Sequence, residues 1–451
     1  MCLSMQLFWR KITPTKFLTL GYLVIILAGA LLLMLPFSTR SGQSTPFFDA
    51  LFTSASATCV TGLVIYDTYT YWSGFGQAVI LFLIQIGGLG FVTLAIAVTT
   101  FTKRKIGLKQ RCVMQESIAA PQMGGIVRLT RFVFYGTLSC EIAGALVLSF
   151  RLCPLFGFTK GIYFSVFHSI SAFCNAGFDL MGALEPSSSL TRFSGDPLIN
   201  LPVMFLIVIG GLGFFVWEDL WHHRHHWNQY RLHTKTVLAA TGLLIVVSGV
   251  LFFFLEANGA AFDGKSTGEK ILASLFQAIT PRTAGFNTVQ LTKLNGASIF
   301  LTIALMLIGG SPGSTAGGIK TTTAALFVLD VASMWRKSPS IEYFKRRVDH
   351  DVLRNASTVL TLYLFFIGLS TMLISWVEGV TMTESMFESV SAIGTVGLSL
   401  GITPALHVPS KLILTFLMYF GRVGCLTILY SIADSRSAAP SKMPLERIVV
   451  G

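Results

Sequence analysis

Four short segments of the chain follow one pattern: "LFTSASATCVTGL" (51–63), "VFHSISAFCNAGF" (166–178), "LFQAITPRTAGFN" (275–287) and "MFESVSAIGTVGL" (386–398). In each, a Phe is followed four residues later by Ser or Thr, and a Gly precedes Leu or Phe near the end. These glycines, Gly62, Gly177, Gly285 and Gly397, are 115, 108 and 112 residues apart. Spacing this even marks an internal repeat, which constrains the fold before any local propensity is weighed. A second glycine-bearing patch follows each segment: "IGGLGF" (86–91), "IGGLGF" (209–214), "IGGSPGS" (308–314) and "FGRVGC" (420–425).

The repeats are embedded in apolar sequence. Hydrophobic residues make up 53% of the 451 and charged residues 12%, with a mean hydropathy of +0.68. Soluble domains carry about 25% charged residues, so the chain reads as an all-α polytopic membrane protein. Helical spans need roughly 20 apolar residues, and eight candidates lie near 17–36, 75–101, 131–150, 199–217, 236–255, 298–330, 357–377 and 409–432. The alternating strands of a membrane barrel are absent from the pattern. The first apolar run is too long for a signal-peptide core.

Each segment sits between two spans, and its apolar run before the glycine is half of what a span requires. A half-length run is a candidate re-entrant segment, whose returning backbone must be buried in protein or line a watery cavity. Four copies predict pseudo-fourfold packing around one axis. The predicted organisation is a cytoplasmic N-terminus (1–16), repeat 1 (17–101), repeat 2 (131–221), repeat 3 (236–335), repeat 4 (355–432) and a cytoplasmic C-terminal tail (433–451).

A half-helix entering from outside aims its C-terminal carbonyls at the membrane centre. Glycine adopts positive φ without steric cost, so carbonyls beside it can turn toward the axis. Four such turns make an oxygen ring that replaces a cation's water shell. The expected ligands are the carbonyls of Val60, Thr61 and Gly62; Asn175, Ala176 and Gly177; Thr283, Ala284 and Gly285; and Thr395, Val396 and Gly397. The competing role for any one glycine is close helix packing; four at matched positions favour the filter.

The net charge of +12 follows topology rather than nucleic-acid binding. With eight spans and the N-terminus inside, segments 1–16, 102–131, 222–235, 336–354 and 433–451 hold 22 of the 33 lysines and arginines. That asymmetry satisfies the positive-inside rule and places both termini in the cytoplasm. Arg282, Lys320 and Arg422 remain at membrane depth. The third patch, Gly309, Gly310, Ser311, Pro312, Gly313, Ser314, Thr315, Ala316, Gly317 and Gly318, must interrupt its helix, because Gly costs about 1 and Pro about 3 kcal/mol there. Arg422 lies at the corresponding depth of repeat 4, and intramembrane charges are functional by default. Loop and arginine together predict a gate below the filter, against the alternative of an Arg422 ion pair with Glu141. Lys320 is expected either at the gate or snorkelling to the inner interface, and Arg282 as scaffold behind the carbonyls.

The chain resembles the Trk/Ktr/HKT superfamily of potassium transporters, most closely the KtrB-type subunits of bacterial Ktr systems. The resemblance rests on "SATCVTGL", "SAFCNAGF", "TPRTAGFN", "SAIGTVGLSLG", "IGGSPGSTAGGIKTTT" and "GRVGCLT". It implies four covalently linked M1–P–M2 repeats, a potassium-selective filter with one key glycine per repeat, and an intramembrane gate loop beside the fourth-repeat arginine. It also implies a homodimer in the cell membrane, regulated by a separate cytoplasmic ring of RCK-type, KtrA-like nucleotide-binding subunits. Only 16 residues precede the first span, favouring the Ktr branch over members with extra N-terminal spans. Gly62 matches the potassium pattern where some plant members carry serine and favour sodium.

Remaining signals are weaker. Seven scattered cysteines indicate neither a disulfide framework nor a zinc site, and no cofactor is expected in the chain beyond the transported potassium ion. "WHHRHHWNQYRLH" (221–233) resembles a metal-binding tract but lies at the expected inner face. The basic loops "TKRKIGLKQR" and "WRKSPSIEYFKRRVDHDVLR" suit docking to the ring or to anionic lipid. An enzyme is disfavoured, since no HExxH or nucleophile–base motif is present. A sodium-coupled symporter using alternating access is the alternative, but inverted repeats would mark it, and two spans per repeat keep all four in one orientation.

Overall fold

The computed structural model describes residues 13–93, 107–118, 124–224, 226–338 and 340–432. The expected end of the second span at 101, most of the N-terminal segment and the tail 433–451 lie outside these residues.

Each repeat opens on a long apolar helix: Pro14–Leu33, Ile126–Phe156, Leu232–Glu256 and His350–Glu378. These four are long and apolar enough to cross a membrane. Each is followed by a short helix: Phe47–Thr58, Phe158–Phe173, Thr267–Ile279 and Met382–Gly394. A second span then begins at Gly74–Leu89, Pro197–Leu212, Gly296–Leu307 and Val408–Val423. Local chemistry sets the starts. Ser266 with Glu269 and Thr381 with Glu384 form capping boxes on the third and fourth short helices. Ser73, Asp196 and Asn295 cap second spans through their side chains.

The sequence singled out repeat 3 for a broken second span, and the structure breaks others as well. Pro197–Leu212 meets Phe214–His223 at 94°, and Val408–Val423 meets Cys425–Ser431 at 92°. Counting each bent pair as one span gives up to six crossing helices among the described residues. The hinges, Gly213 and Gly424, sit at φ 93° and 90°, which no helix continues through. In repeat 2 the amide freed by the break is not lost: Phe214 N–H donates to Gly313 O of repeat 3 at 2.7 Å. In repeat 3 the halves Gly296–Leu307 and Thr321–Trp335 are separated by the predicted loop.

The repeats close into a ring. The second spans of repeats 1, 2 and 3 pack against the short helices of repeats 2, 3 and 4, and that of repeat 4 packs against the short helix of repeat 1. The shared Phe52, Phe167, Phe276 and Phe387 are all fully buried and anchor the short helices in this ring. Among the described residues, the helices are joined by one two-residue antiparallel strand pairing, Glu342–Tyr343 with Arg346–Arg347, on the repeat 3 to repeat 4 connection.

Candidate ion pathway

All four short helices end in the same backbone sequence. Val60, Asn175, Thr283 and Thr395 have φ of 57°, 59°, 69° and 52°, and two residues later Gly62, Gly177, Gly285 and Gly397 have 90°, 69°, 79° and 90°. The residue between each pair keeps negative φ. An ordinary extended chain points successive carbonyls to opposite sides; alternating the sign of φ turns them toward one side. For the β-branched Val60, Thr283 and Thr395 the left-handed region is costly, of order 1–3 kcal/mol each, and such strain concentrates at functional sites.

The shared hydroxyls hold these turns. Gly62 N–H donates to Ser56 Oγ at 3.0 Å, and Gly397 N–H to Ser391 Oγ at 3.1 Å. Ser171 and Thr280 instead donate to Phe178 O and Phe286 O, each at 2.6 Å. Repeat 3 lacks one residue between hydroxyl and glycine, and its helix closes accordingly. Thr61, Ala176 and Val396 N–H reach carbonyls five residues back, while Ala284 N–H reaches Thr280 O, four back, at 2.9 Å. Arg282 is buried, and its Nη2 donates to Thr241 Oγ1 on the first span of repeat 3 at 3.2 Å. It ties the loop to that span rather than meeting the loop's carbonyls.

The glycines touch cyclically. A Cβ added at Gly62 would lie 2.4 Å from Ala176 O, at Gly177 2.9 Å from Ala284 O, at Gly285 2.7 Å from Val396 O, and at Gly397 2.1 Å from Thr61 O. Each glycine therefore abuts the carbonyl before the next glycine, and the fourth returns to the first. Eight of the twelve sequence-predicted residues, the four glycines and Thr61, Ala176, Ala284 and Val396, thus touch in one closed ring, and Val60, Asn175, Thr283 and Thr395 lead into it from the short helices.

The loop 309–318 lies directly beneath it. Gly309 N–H donates to Ile319 O at 2.8 Å, Ser311 N–H to Gly211 O at 2.9 Å, and Thr315 Oγ1 to Phe173 O, at the end of the second short helix, at 3.2 Å. A Cβ at Gly317 would meet Thr395 Oγ1 at 2.2 Å, so the loop rests on filter wall 4. Ser311, Thr315 and Ala316 are buried.

Arg422 latches this loop. Its guanidinium donates to Thr315 O in the loop and to Gly87 O and Gly88 O (3.2 Å to the last) in the second span of repeat 1. A repeat 4 side chain thus joins repeats 3 and 1. Among the described residues it has no carboxylate partner; Glu141 accepts instead from Gln85 Nε2, at 3.0 and 3.2 Å. Lys320 donates to Ala316 O at 2.8 Å and Gly317 O at 3.4 Å, so it caps the loop rather than snorkelling. Below lies a cavity of about 350 Å3, lined by Pro312, Ser314, Lys320, Arg422, Glu116 and others.

Sequence reasoning expected Arg422 on loop carbonyls, as Thr315 O is, but missed the hydroxyl braces and the Gly87 and Gly88 carbonyls. The Ser/Thr signal was visible in the pattern; the partners were not, since they come from other repeats. The histidine tract gathers no metal set: among the described residues no three His, Cys, Asp or Glu converge, and His225 lies outside them.

Comparison with known proteins agrees with this architecture. Residues 13–439 match the TrkH family, described as cation transport protein. The chain is 40% identical to Ktr system potassium uptake protein B of Bacillus subtilis, over 95% of each chain. It is 38% identical to potassium/sodium uptake protein NtpJ of Enterococcus hirae, over 98% of each. The crystal structure of the potassium transporter TrkH from Vibrio parahaemolyticus superposes with a TM-score of 0.74 at 20% identity, covering 93% of this chain and 85% of that one; at that identity the likeness speaks for the fold. A ring of four turns above a latched loop, and a family match over nearly the whole length, lead to one conclusion: the chain belongs to the TrkH family of cation transport proteins.

Proposed function

We propose that the chain is the membrane subunit of a Ktr-type potassium uptake system. Potassium passes through the ring of carbonyls at Val60–Gly62, Asn175–Gly177, Thr283–Gly285 and Thr395–Gly397, and loop 309–318, held by Arg422, is the gate. The observation that carries this reading is the same alternation of φ in all four walls, kept even where the residue is β-branched. Such strain is maintained where carbonyls must face a common centre. Relatives named for potassium uptake support the choice of ion.

The subunit works as a homodimer in the bacterial cell membrane, with both termini cytoplasmic, and a KtrA-like ring carrying the regulatory nucleotide binds its inner face. The charge distribution and the basic loops support that face. A pathway closed by a loop and one latch is channel-like: the membrane potential drives the ion, and no step requires exchange between inward and outward forms. The test is potassium and sodium flux in proteoliposomes holding the purified chain, with and without the ring. Potassium uptake that tracks the imposed potential without sodium supports the proposal; strict dependence on a sodium gradient refutes it in favour of symport.

A further inference from the structure

One residue after each buried Phe, the short helices carry Thr53, His168, Gln277 and Glu388. Two of the four are ionisable, in repeats 2 and 4, which the cyclic glycine contacts place across the ring from each other. His168 is buried, with Nδ1 2.7 Å from Phe164 O one turn back, and its Nε2 accepts from Leu180 N–H at 3.2 Å. A backbone amide can only donate, so Nε2 is the bare nitrogen and Nδ1 carries the hydrogen; the two bonds fix one tautomer.

Glu388 is buried too. Its carboxylate accepts from Ser399 Oγ at 2.5 Å and from Thr403 Oγ1 at 2.9 Å. Leu180 lies three residues past Gly177, and Ser399 two past Gly397. Both side chains therefore reach around the filter turn and hold the backbone as it leaves. The corresponding residues of the other walls do not: Thr53 donates to Asp49 O in its own helix, and the Gln277 amide has no hydrogen-bond partner among the described residues. Walls 1 and 3 hold their exits from other positions: Tyr66 OH donates to Asp49 Oδ2 at 2.7 Å, and Asn287 N–H donates to Ser189 Oγ at 3.1 Å; the residue after the buried Phe serves as the brace on the two opposite walls 2 and 4.

We infer that His168 and Glu388 are positioning residues for ion selection. Each ties the exit segment of its wall to its short helix, and so fixes the radius at which the carbonyls beside Gly177 and Gly397 face the ion. The Ser/Thr hydroxyls hold the turn from within; His168 and Glu388 hold it from the far side. An acceptor is what the site requires, because Leu180 and Thr403 are buried, and the exit amide of Leu180 and the hydroxyls of Ser399 and Thr403 are donors that must be paired there.

This inference rests on the filter reading, and the experiment separates the two. The potassium-to-sodium flux ratio is measured in proteoliposomes for wild type, His168→Leu, His168→Gln and the double variant Ser399→Ala/Thr403→Val, each checked for intact assembly by size exclusion. Loss of the acceptor in His168→Leu lowers the ratio at least fivefold. His168→Gln, whose amide oxygen stands close to the position of Nε2, restores it to within twofold of wild type. The double variant leaves both ionisable residues in place and also lowers the ratio. Wild-type ratios in the assembled leucine and double variants overturn the inference, as does a glutamine variant as unselective as leucine. If His168→Leu does not assemble, the double variant decides alone. A wild type without preference for potassium refutes the filter reading itself; a selective wild type beside equally selective variants refutes only the positioning role.

Discussion

Replacing Gly62 with Ser tests the ring most directly, because two separate costs meet there. Gly62 sits at φ 90°, where an L side chain costs roughly 1–2 kcal/mol. Its added Cβ would lie 2.4 Å from Ala176 O, the carbonyl of the neighbouring wall. Ordinary contact begins at about 3.5 Å, so that carbonyl must retreat about 1 Å. Overpacking of this kind costs about 1–3 kcal/mol. Together the two give about 2–5 kcal/mol, and every 1.4 kcal/mol that appears as a difference between ions is tenfold in their ratio. The expected result is a fall of at least about tenfold in the potassium-to-sodium flux ratio of reconstituted protein. Gly42 supplies the control: it has φ 72° but open space around an added Cβ. Gly42→Ala should lower stability by roughly 1–2 kcal/mol and leave the ratio alone. An unchanged ratio in Gly62→Ser would refute the ring assignment. An equal fall in Gly42→Ala would show that general destabilisation, rather than the carbonyl contact, was measured.

Other outcomes follow from the same geometry. Arg422→Ala removes three charge-assisted hydrogen bonds that join the loop to repeat 1; at about 1.5–3 kcal/mol each, their loss should raise basal potassium flux tenfold or more, and equal flux would sink the latch. Gly317→Ala drives a methyl into Thr395 Oγ1, so the loop should seat poorly, raising flux and lowering the thermal midpoint of detergent-solubilised protein. Asp179, in the segment leaving the filter, has its carboxyl pushed up to about 7 by burial, opposed by a bond from Met181 N–H, with the nearby Asp67 charge adding to the rise. Because the folded state holds this proton more tightly than the unfolded chain, the penalty is full above about pH 7 and fades as pH falls toward the unfolded value. Asp179→Asn should therefore melt higher than wild type at pH 8, with a gap that narrows steadily as pH falls from about 7 toward 3.8; a gap that does not change with pH would contradict the assignment.

Residue order alone was enough for the helical membrane-type class, the fourfold repeat and the four turn glycines at positive φ. Those features are local: hydropathy needs no partner, and an L side chain at positive φ strains any fold. It also placed the repeat 3 loop, where Pro312 and five glycines leave a helix no continuation. The breaks at Gly213 and Gly424 were not legible, because one glycine in an apolar run costs only about 1 kcal/mol and the helix bends when another repeat accepts the freed amide, as Gly313 O does for Phe214. Local rules even argue against Val60, Thr283 and Thr395 in the left-handed region, and closure of the ring overrides them. The same holds for the charges. Sequence paired Arg422 with the repeat 3 loop, but only the folded ring brings it also to Gly87 and Gly88, 335 and 334 residues away. Such partners are chosen by the packing of four repeats around one axis, and no window along the chain contains them.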